Sequence, residues 1–331
     1  MKSIASAPGK IILFGEHFVV HGTPAILAAI DKRVTVTSTF TENKTIRVNS
    51  KLGTLDVPIS SSYKEVKNEF RPFVYLANKM INSNQNVNGL EITIDSDIPI
   101  GVGLGSSSAC CVAATASISG LFKEISDEEI LKMSIDAEKT IFPDTSGADC
   151  TVCAYGGMIV YDKIKGIEKI VNTFDLNFII ANSMIPHITK NSVDKVKKFK
   201  ENNAERFADL CRDVTNMINE VKNAMNNQDN EVSIPLEDYL GIIMLDNQRF
   251  LQEIQVSNDT ITDMILSLFD YDNDCPVAYG AKITGAGDGG CIIALVDKKD
   301  ELNQFHEVLG KDKECFSAKI DSKGVIWEIK K

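Results

Sequence analysis

Apolar and polar positions along this chain change period several times, and the changes mark its elements. Lys10 to Phe14 is a short apolar run, Val34 to Phe40 alternates β-branched with polar residues, and Leu90 to Asp95 alternates again before Pro99 interrupts it. The N-terminal part therefore reads mostly as strands. Between them Phe70, Phe73, Val74, Ala77, Met80 and Ile81 recur at helical spacing, which predicts a helix over 70–81 ended by an Asn-rich turn at 82–88. A helix rich in Ala and Val is expected from about Ser106 to Phe122, and another from Ser126, whose spacing to Glu129 is that of a capping box. After Gly156 and Gly157, strands over 158–161 and 178–181 precede a mainly helical stretch, 192–269, interrupted by the polar segment 223–233. Strands near Ala281, over 291–296 and near Phe316 and Val325, with a helix over 300–309, complete a mixed α and β pattern without internal repeats.

At 331 residues the chain exceeds the length at which single cores stop growing, which implies two domains. The boundary is placed within 165–185, giving domains 1–175 and 176–331. A hydrophobic fraction of 44% excludes disordered and fibrous classes. With 35 Lys+Arg against 46 Asp+Glu the net charge is −11, which argues against nucleic acid or an anionic membrane as partner. An anionic ligand would need positive charge supplied locally. Ile11 to Phe14 is too short for a signal-peptide core and no segment approaches a membrane span, so a cytoplasmic protein is expected. Eight scattered Cys read as buried thiols in a reducing compartment, and Cys150 with Cys153, a lone CxxC, as packed thiols rather than a zinc or redox pair.

Three segments carry candidate chemistry. In PIGVGLGSSSA (99–109), Gly101, Gly103 and Gly105 let the backbone approach a ligand closely, and the Ser run opens a helix whose amides can hold phosphate oxygens. No Gly-Lys-Ser/Thr follows and the Gly spacing is not GxGxxG. Alone, the run fits a ligand-free turn nearly as well. In PGKIILFGEHFVVHG (8–22), Lys10 begins a strand and would supply local positive charge to a transferring phosphoryl. His17 and His21 are four apart, but the flanking Gly15 and strand-like approach disfavour a zinc pair. GAKITGAGDGGC (280–291) is a second Gly-rich turn; two such turns and a Lys-bearing strand make a phosphate site the economical reading. Glu138, late in its helix, and Asp149, in the turn after it, are within reach of one cleft as metal ligand and proton acceptor, although by spacing alone a solvated Glu138 fits as well.

Together PGKIILFGEH, PIGVGLGSSSA and KITGAGDGG resemble the GHMP kinases, in their order and near their places. The stretches EKTIFPDTSGADCTVCAYGG, IPHITKNSV and LGIIMLDNQRFLQEIQVS narrow the resemblance to the mevalonate kinase branch over nearly the whole chain. This implies an α+β, two-domain fold: an N-terminal α/β domain with a left-handed βαβ unit, an exception to usual handedness, and a ferredoxin-like C-terminal domain, with ATP between them. It implies that Pro99, Ile100, Gly101, Val102, Gly103, Leu104, Gly105, Ser106, Ser107, Ser108 and Ala109 bind ATP, joined by Gly285, Ala286 and Gly287 from the other domain. Ser107 and Glu138 would hold Mg²⁺, Asp149 would be the catalytic base, and Lys10 would favour the alkoxide. Lys10, Glu16, His17, Asp149 and Thr189 would contact mevalonate, whose 5-hydroxyl would receive the γ-phosphoryl. A homodimer is also implied. His187, Asn258, Ser108 and Asp288 depart from the family pattern at places usually held by Arg, His, Ala and Gly. Phosphomevalonate or pantoate as acceptor, or a ligand-sensing homologue without turnover, are the alternatives.

Overall fold

The computed structural model describes residues 1–84, 87–171, 174–186, 189–226, 234–269, 276–297 and 302–330. Strands β1 (Lys2–Phe14), β2 (Ala25–Phe40), β3 (Thr45–Ser50), β4 (Gly53–Pro58), β5 (Leu90–Ser96), β6 (Met158–Asp162), β7 (Gly166–Ile170) and, from the far end of the chain, β12 (Ile326–Lys330) form one sheet. Its order is β12-β1-β2-β5-β3-β4, with β6 pairing β2 and β7. All pairings are antiparallel except β3 with β5. The period-2 rule shows along β1, where Ala5, Ala7, Ile11 and Leu13 are buried on one face.

Helices α1 (Arg71–Asn82), α2 (Ser106–Gly120), α3 (Asp127–Glu138) and α4 (Ala148–Tyr155) belong to this half. α2 packs on β1, β2 and the other three helices, and nearly every residue beyond its first turn is buried. Its Ala, Ser and Cys side chains suit that central position, because small residues let neighbours approach from all sides. Two of the hydroxyls they bring inside find acceptors, Ser117 Oγ donating to the Ser3 carbonyl at 3.0 Å and Thr115 Oγ1 to that of Cys111 at 2.7 Å, whereas Ser119 Oγ has no partner among the described residues.

The second sheet contains β8 (Asn177–Asn182), β9 (Gly280–Ile283), β10 (Cys291–Val296) and β11 (Cys315–Lys319), all antiparallel in the order β11-β8-β10-β9. α5 (Thr189–Asn202), α6 (Ala204–Asn226), α7 (Leu236–Glu253) and α8 (Asp259–Ser267) lie between β8 and β9 in the chain, and α9 (Leu302–Leu309) between β10 and β11. In chain order the four strands take spatial order fourth, first, third, second, the arrangement of a ferredoxin-like βαββαβ unit. Every residue of β10 is buried, which accounts for its uninterrupted apolar run. No helix among the described residues is long and apolar enough to cross a membrane.

The two halves are tied beside β1. Thr284 Oγ1 accepts from the Ile12 amide at 2.9 Å and donates to the Ile12 carbonyl at 3.2 Å. Arg33 on β2 pairs with Asp321 and donates to the Ser6 and Gly324 carbonyls, each at 2.8 Å, so the segment leading into β12 is held against the first sheet.

Several elements differ from the pattern-based expectation. The first half of β2, AILAAI, lacks alternation because both its faces are covered, and the β3–β4 hairpin is too short and exposed to stand out. α4 is only eight residues long between Gly147 and Gly156, so Asp149 sits on a helical first turn and not in the turn read at 144–149. α5 begins at Thr189, three residues before the expected start. Part of the Asn-rich turn and the starting residues of the helix expected over 300–309 lie outside the described residues.

Candidate active site

Gly101, Gly103 and Gly105 have φ of 77°, 87° and 71°, a left-handed path open chiefly to glycine. Gly105 is the residue before α2 and supplies no side-chain cap, so the first amides of α2 carry no intrahelical partner and face outward at its positive end. Beside them opens a cavity of about 670 Å³, lined by Leu52, Phe73, Ile98, Pro99, Ile100, Gly101, Ser106, Ser107 and Cys110 among others. Apolar walls ending on a helix N-terminus suit a flat apolar group followed by an anionic one. Of the remaining predicted ATP residues, Val102, Gly103 and Gly105 are half-buried, whereas Leu104, Ser108 and Ala109 are buried and none of the six lines the cavity.

The second Gly-rich turn faces the first. A Cβ on Gly103 would lie 3.4 Å from the Thr284 carbonyl and 3.8 Å from Gly285 Cα. Gly287 has φ 70°, and a Cβ there would come within 2.2 Å of the Val256 carbonyl, so glycine is required. The Ala286 carbonyl accepts from His17 Nε2 at 2.8 Å, which leaves Nδ1 as the acceptor of the neutral ring. Burial lowers the His17 pKa and so favours that neutral form.

Lys10 and Asp149 meet: Nζ lies 3.2 Å from Oδ2, with the Lys10 side chain 5% exposed and Asp149 36% exposed. The Lys10 amide donates to the Leu104 carbonyl at 3.0 Å, and its side chain runs across Gly105, where a Cβ would sit 2.6 Å from Lys10 Cγ. One turn thus borders the cavity through Ser106 and Ser107 and positions Lys10 through Leu104 and Gly105. Glu138, the last residue of α3, is 3% exposed. Burial raises its pKa, as does the nearby Asp149, against donation from Ser108 and Thr145. Its hydroxyl partner on α2 is Ser108, while Ser107 turns to the cavity.

Glu16 is 1% exposed and pairs with Lys282 on β9, which is fully buried. Lys282 Nζ also donates to the Ile283 carbonyl at 2.5 Å, and Glu16 Oε2 has no hydrogen-bond partner among the described residues. Desolvation pushes Glu16 up and Lys282 down, and each charge opposes the shift of the other. Lys282 escaped the sequence reading, since a Lys flanked by apolar residues in a short strand reads as a solvated position; its place in the KITGAGDGG segment was the available signal. Thr189 is exposed on the first turn of α5, and among the described residues no hydrogen bond or ion pair joins it to Lys10 or Asp149.

Three of the four unusual positions have local contacts, Ser108 through Glu138 as above. Asn258 caps α8, accepting from the Ile261 amide at 3.0 Å. Asp288, at φ 59°, pairs with Lys195 at 2.7 Å and accepts from Ser192 at 3.3 Å. His187 lies outside the described residues, as does Cys275. His21 Nδ1 lies 3.3 Å from Lys200 Nζ, its ring edge-on to Phe207, and among the described residues no cluster of three His, Cys, Asp or Glu is placed to hold a metal. Cys150 and Cys153 are buried free thiols with pKa values raised by burial, in keeping with packed side chains.

Known proteins resemble this chain in sequence and fold. Residues 71–157 match the family described as GHMP kinases N terminal domain, and residues 195–314 match GHMP kinases C terminal. The chain is 34% identical over 311 residues to the mevalonate kinase of Thermococcus sibiricus and 35% identical over 314 residues to that of Pyrococcus furiosus, covering 90% of each chain in both cases. The crystal structure of the Methanococcus jannaschii mevalonate kinase superposes with a TM-score of 0.80 at 26% identity, covering 96% of this chain and 98% of that one. On sequence and on the two-domain fold alike, the chain belongs to the GHMP kinases and, within them, to the mevalonate kinase family.

Proposed function

We propose that the protein transfers the γ-phosphoryl group of ATP to the 5-hydroxyl of (R)-mevalonate, giving 5-phosphomevalonate and ADP. The observation that carries this reading is the Lys10–Asp149 ion pair beside the Gly101–Ser107 turn: a carboxylate and an ammonium 3.2 Å apart next to amides built for phosphate.

Asp149 accepts the proton of the acceptor hydroxyl, and its partial exposure leaves it open to substrate. Lys10 stabilises negative charge on the alkoxide oxygen and, anchored by Leu104 and Gly105, keeps that charge next to the phosphate turn. The amides at the start of α2 hold phosphate oxygens; Gly285 to Gly287 close the site from the second sheet. Glu16 and His17 shape the acceptor end, Glu16 through Lys282 and His17 through Ala286. Thr189 is assigned to the same end. Pro99 and Ile100, with the apolar cavity wall, take the adenine side.

The donor set suits Mg²⁺. Glu138 is a buried carboxylate without a Lys or Arg partner among the described residues, and Ser107, the neighbour of the Ser108 that donates to it, presents a hydroxyl to the cavity. One protein carboxylate plus a hydroxyl is what Mg²⁺ takes when the remaining ligands are substrate phosphates and water. Ser107 and Glu138 would hold the ion, which would neutralise charge on the transferring phosphoryl. The reading extends to a cytoplasmic homodimer with domains 1–175 and 176–331, supported by the family resemblance.

ADP release measured with mevalonate, phosphomevalonate, pantoate, homoserine and galactose tests the assignment. Turnover should be confined to mevalonate; turnover with another acid alone would reassign the acceptor, and none at all would favour a sensor.

A further inference from the structure

Glu138 is held from two directions. Ser108 Oγ, on the first turn of α2, donates to Oε1, and Thr145 Oγ1, in the α3–α4 connection, donates to Oε2 at 2.6 Å. Two donors from two elements fix both the side-chain torsion and the rotation of the carboxylate plane, which one donor would leave free. Thr145 is itself oriented, because its oxygen accepts from the Gly147 amide at 3.3 Å while its proton goes to Glu138. The Cys150 thiol also donates to this carboxylate, so of the four lone pairs on its two oxygens at least one remains for another ligand. Ser107 and Ser108 divide the work of adjacent hydroxyls: the first lines the cavity and the second is 3% exposed beneath it.

We propose that Ser108 and Thr145 are positioning residues that fix the Glu138 carboxylate in the orientation in which it meets the divalent cation, a step that rests on the cation assignment above. Glu138 terminates a helix, where the peptide dipoles oppose a negative charge, and among the described residues no cationic side chain pairs with it. With both oxygens hydrogen-bonded the carboxylate stays aimed; with either hydroxyl removed it rotates toward the remaining one. Partners of metal-binding carboxylates typically change metal affinity by about 10-fold to 100-fold when removed. Since the two hydroxyls act on the same carboxylate, each deletion falls at the lower end.

The test is Mn²⁺ binding to the full-length enzyme in the presence of ADP, read from the electron paramagnetic resonance signal of free Mn²⁺, so that no turnover is involved. Ser108→Ala and Thr145→Val, each removing one hydroxyl at nearly constant volume, should weaken Mn²⁺ by roughly 10-fold. Thr145→Ser, which keeps the hydroxyl, should stay within about twofold of the parent. A purely structural role would lower the melting temperature while leaving Mn²⁺ affinity unchanged, and that result would overturn the proposal. Glu138→Gln and Ser107→Ala separate the two levels. If they weaken Mn²⁺ while Ser108→Ala and Thr145→Val do not, the positioning role is wrong and the cation site stands; if Glu138→Gln binds like the parent, both fall.

Discussion

Replacing Lys282 with Met should destabilise the protein strongly, and in a pH-dependent way. The substitution keeps the length and apolar stem of the side chain but removes the ammonium from a fully buried position, leaving Glu16 at 1% exposure without its paired charge. Breaking a buried pair from one side costs about 3–5 kcal/mol. For 331 residues the unfolding entropy is about 0.7 kcal/mol per kelvin, so the melting temperature should fall by roughly 4–7 °C. Burial already raises Glu16 above its ordinary value of 4.5, and loss of Lys282 removes the main opposing charge, so the variant raises it further. A carboxyl whose pKa is higher in the native state binds protons that the unfolded chain releases, so its contribution is fully present below 4.5 and is lost as pH rises through the native value. The deficit against the parent should therefore be smaller at pH 5 than at pH 8. Glu16→Gln combined with Lys282→Met, which removes both charges, should recover most of the loss. Differential scanning calorimetry of the three proteins at both pH values is the assay. A deficit under about 1 kcal/mol, or one that grows toward acid pH, would refute a buried charge pair at this place.

Two further outcomes follow from the geometry. Gly105→Ala forces a left-handed φ of 71° on a residue with a Cβ and drives that atom toward Lys10 Cγ, at about 1–2 kcal/mol of backbone strain; kcat should fall more than 10-fold as Lys10 shifts, with a smaller change in the ATP dissociation constant, and unchanged kcat would mean that Lys10 does not need this turn. Arg33→Ala removes the donors that hold Asp321 and the Ser6 and Gly324 carbonyls and should cost about 2–4 kcal/mol; amide exchange over 320–330 should accelerate, and unchanged protection there would show that β12 is held by its strand pairing alone.

The two-domain fold and the course of the first glycine turn were legible in the sequence, whereas several contacts around that turn were not. Glycines at alternate positions have few reasons to exist apart from left-handed backbone and close approach, and Gly101, Gly103 and Gly105 adopt that backbone. Lys10 stood out as a source of local positive charge in an acidic chain, and it meets Asp149. What stayed hidden depends on distant partners. Lys282 is ordinary until Glu16, 266 positions away, is beside it. Which of Ser107 and Ser108 faces the cavity depends on the rotation of α2 against α3, which three consecutive serines do not encode. Thr145 sits in a polar turn where a hydroxyl is common, and only the fold brings it to Glu138. α4 was missed because eight residues between two glycines are too few for a helical period to register.

The central claim is that Asp149, held by Lys10, takes the proton of the acceptor hydroxyl. Its most direct test is steady-state turnover of Asp149→Asn with saturating ATP and mevalonate, alongside ATP affinity by calorimetry. The account predicts a kcat lower by about three orders of magnitude or more, because the proton acceptor is lost while the surrounding contacts remain. ATP affinity should stay within about twofold, since the amides of the Gly101–Ser107 turn do not depend on Asp149. Turnover within 10-fold of the parent would contradict the account.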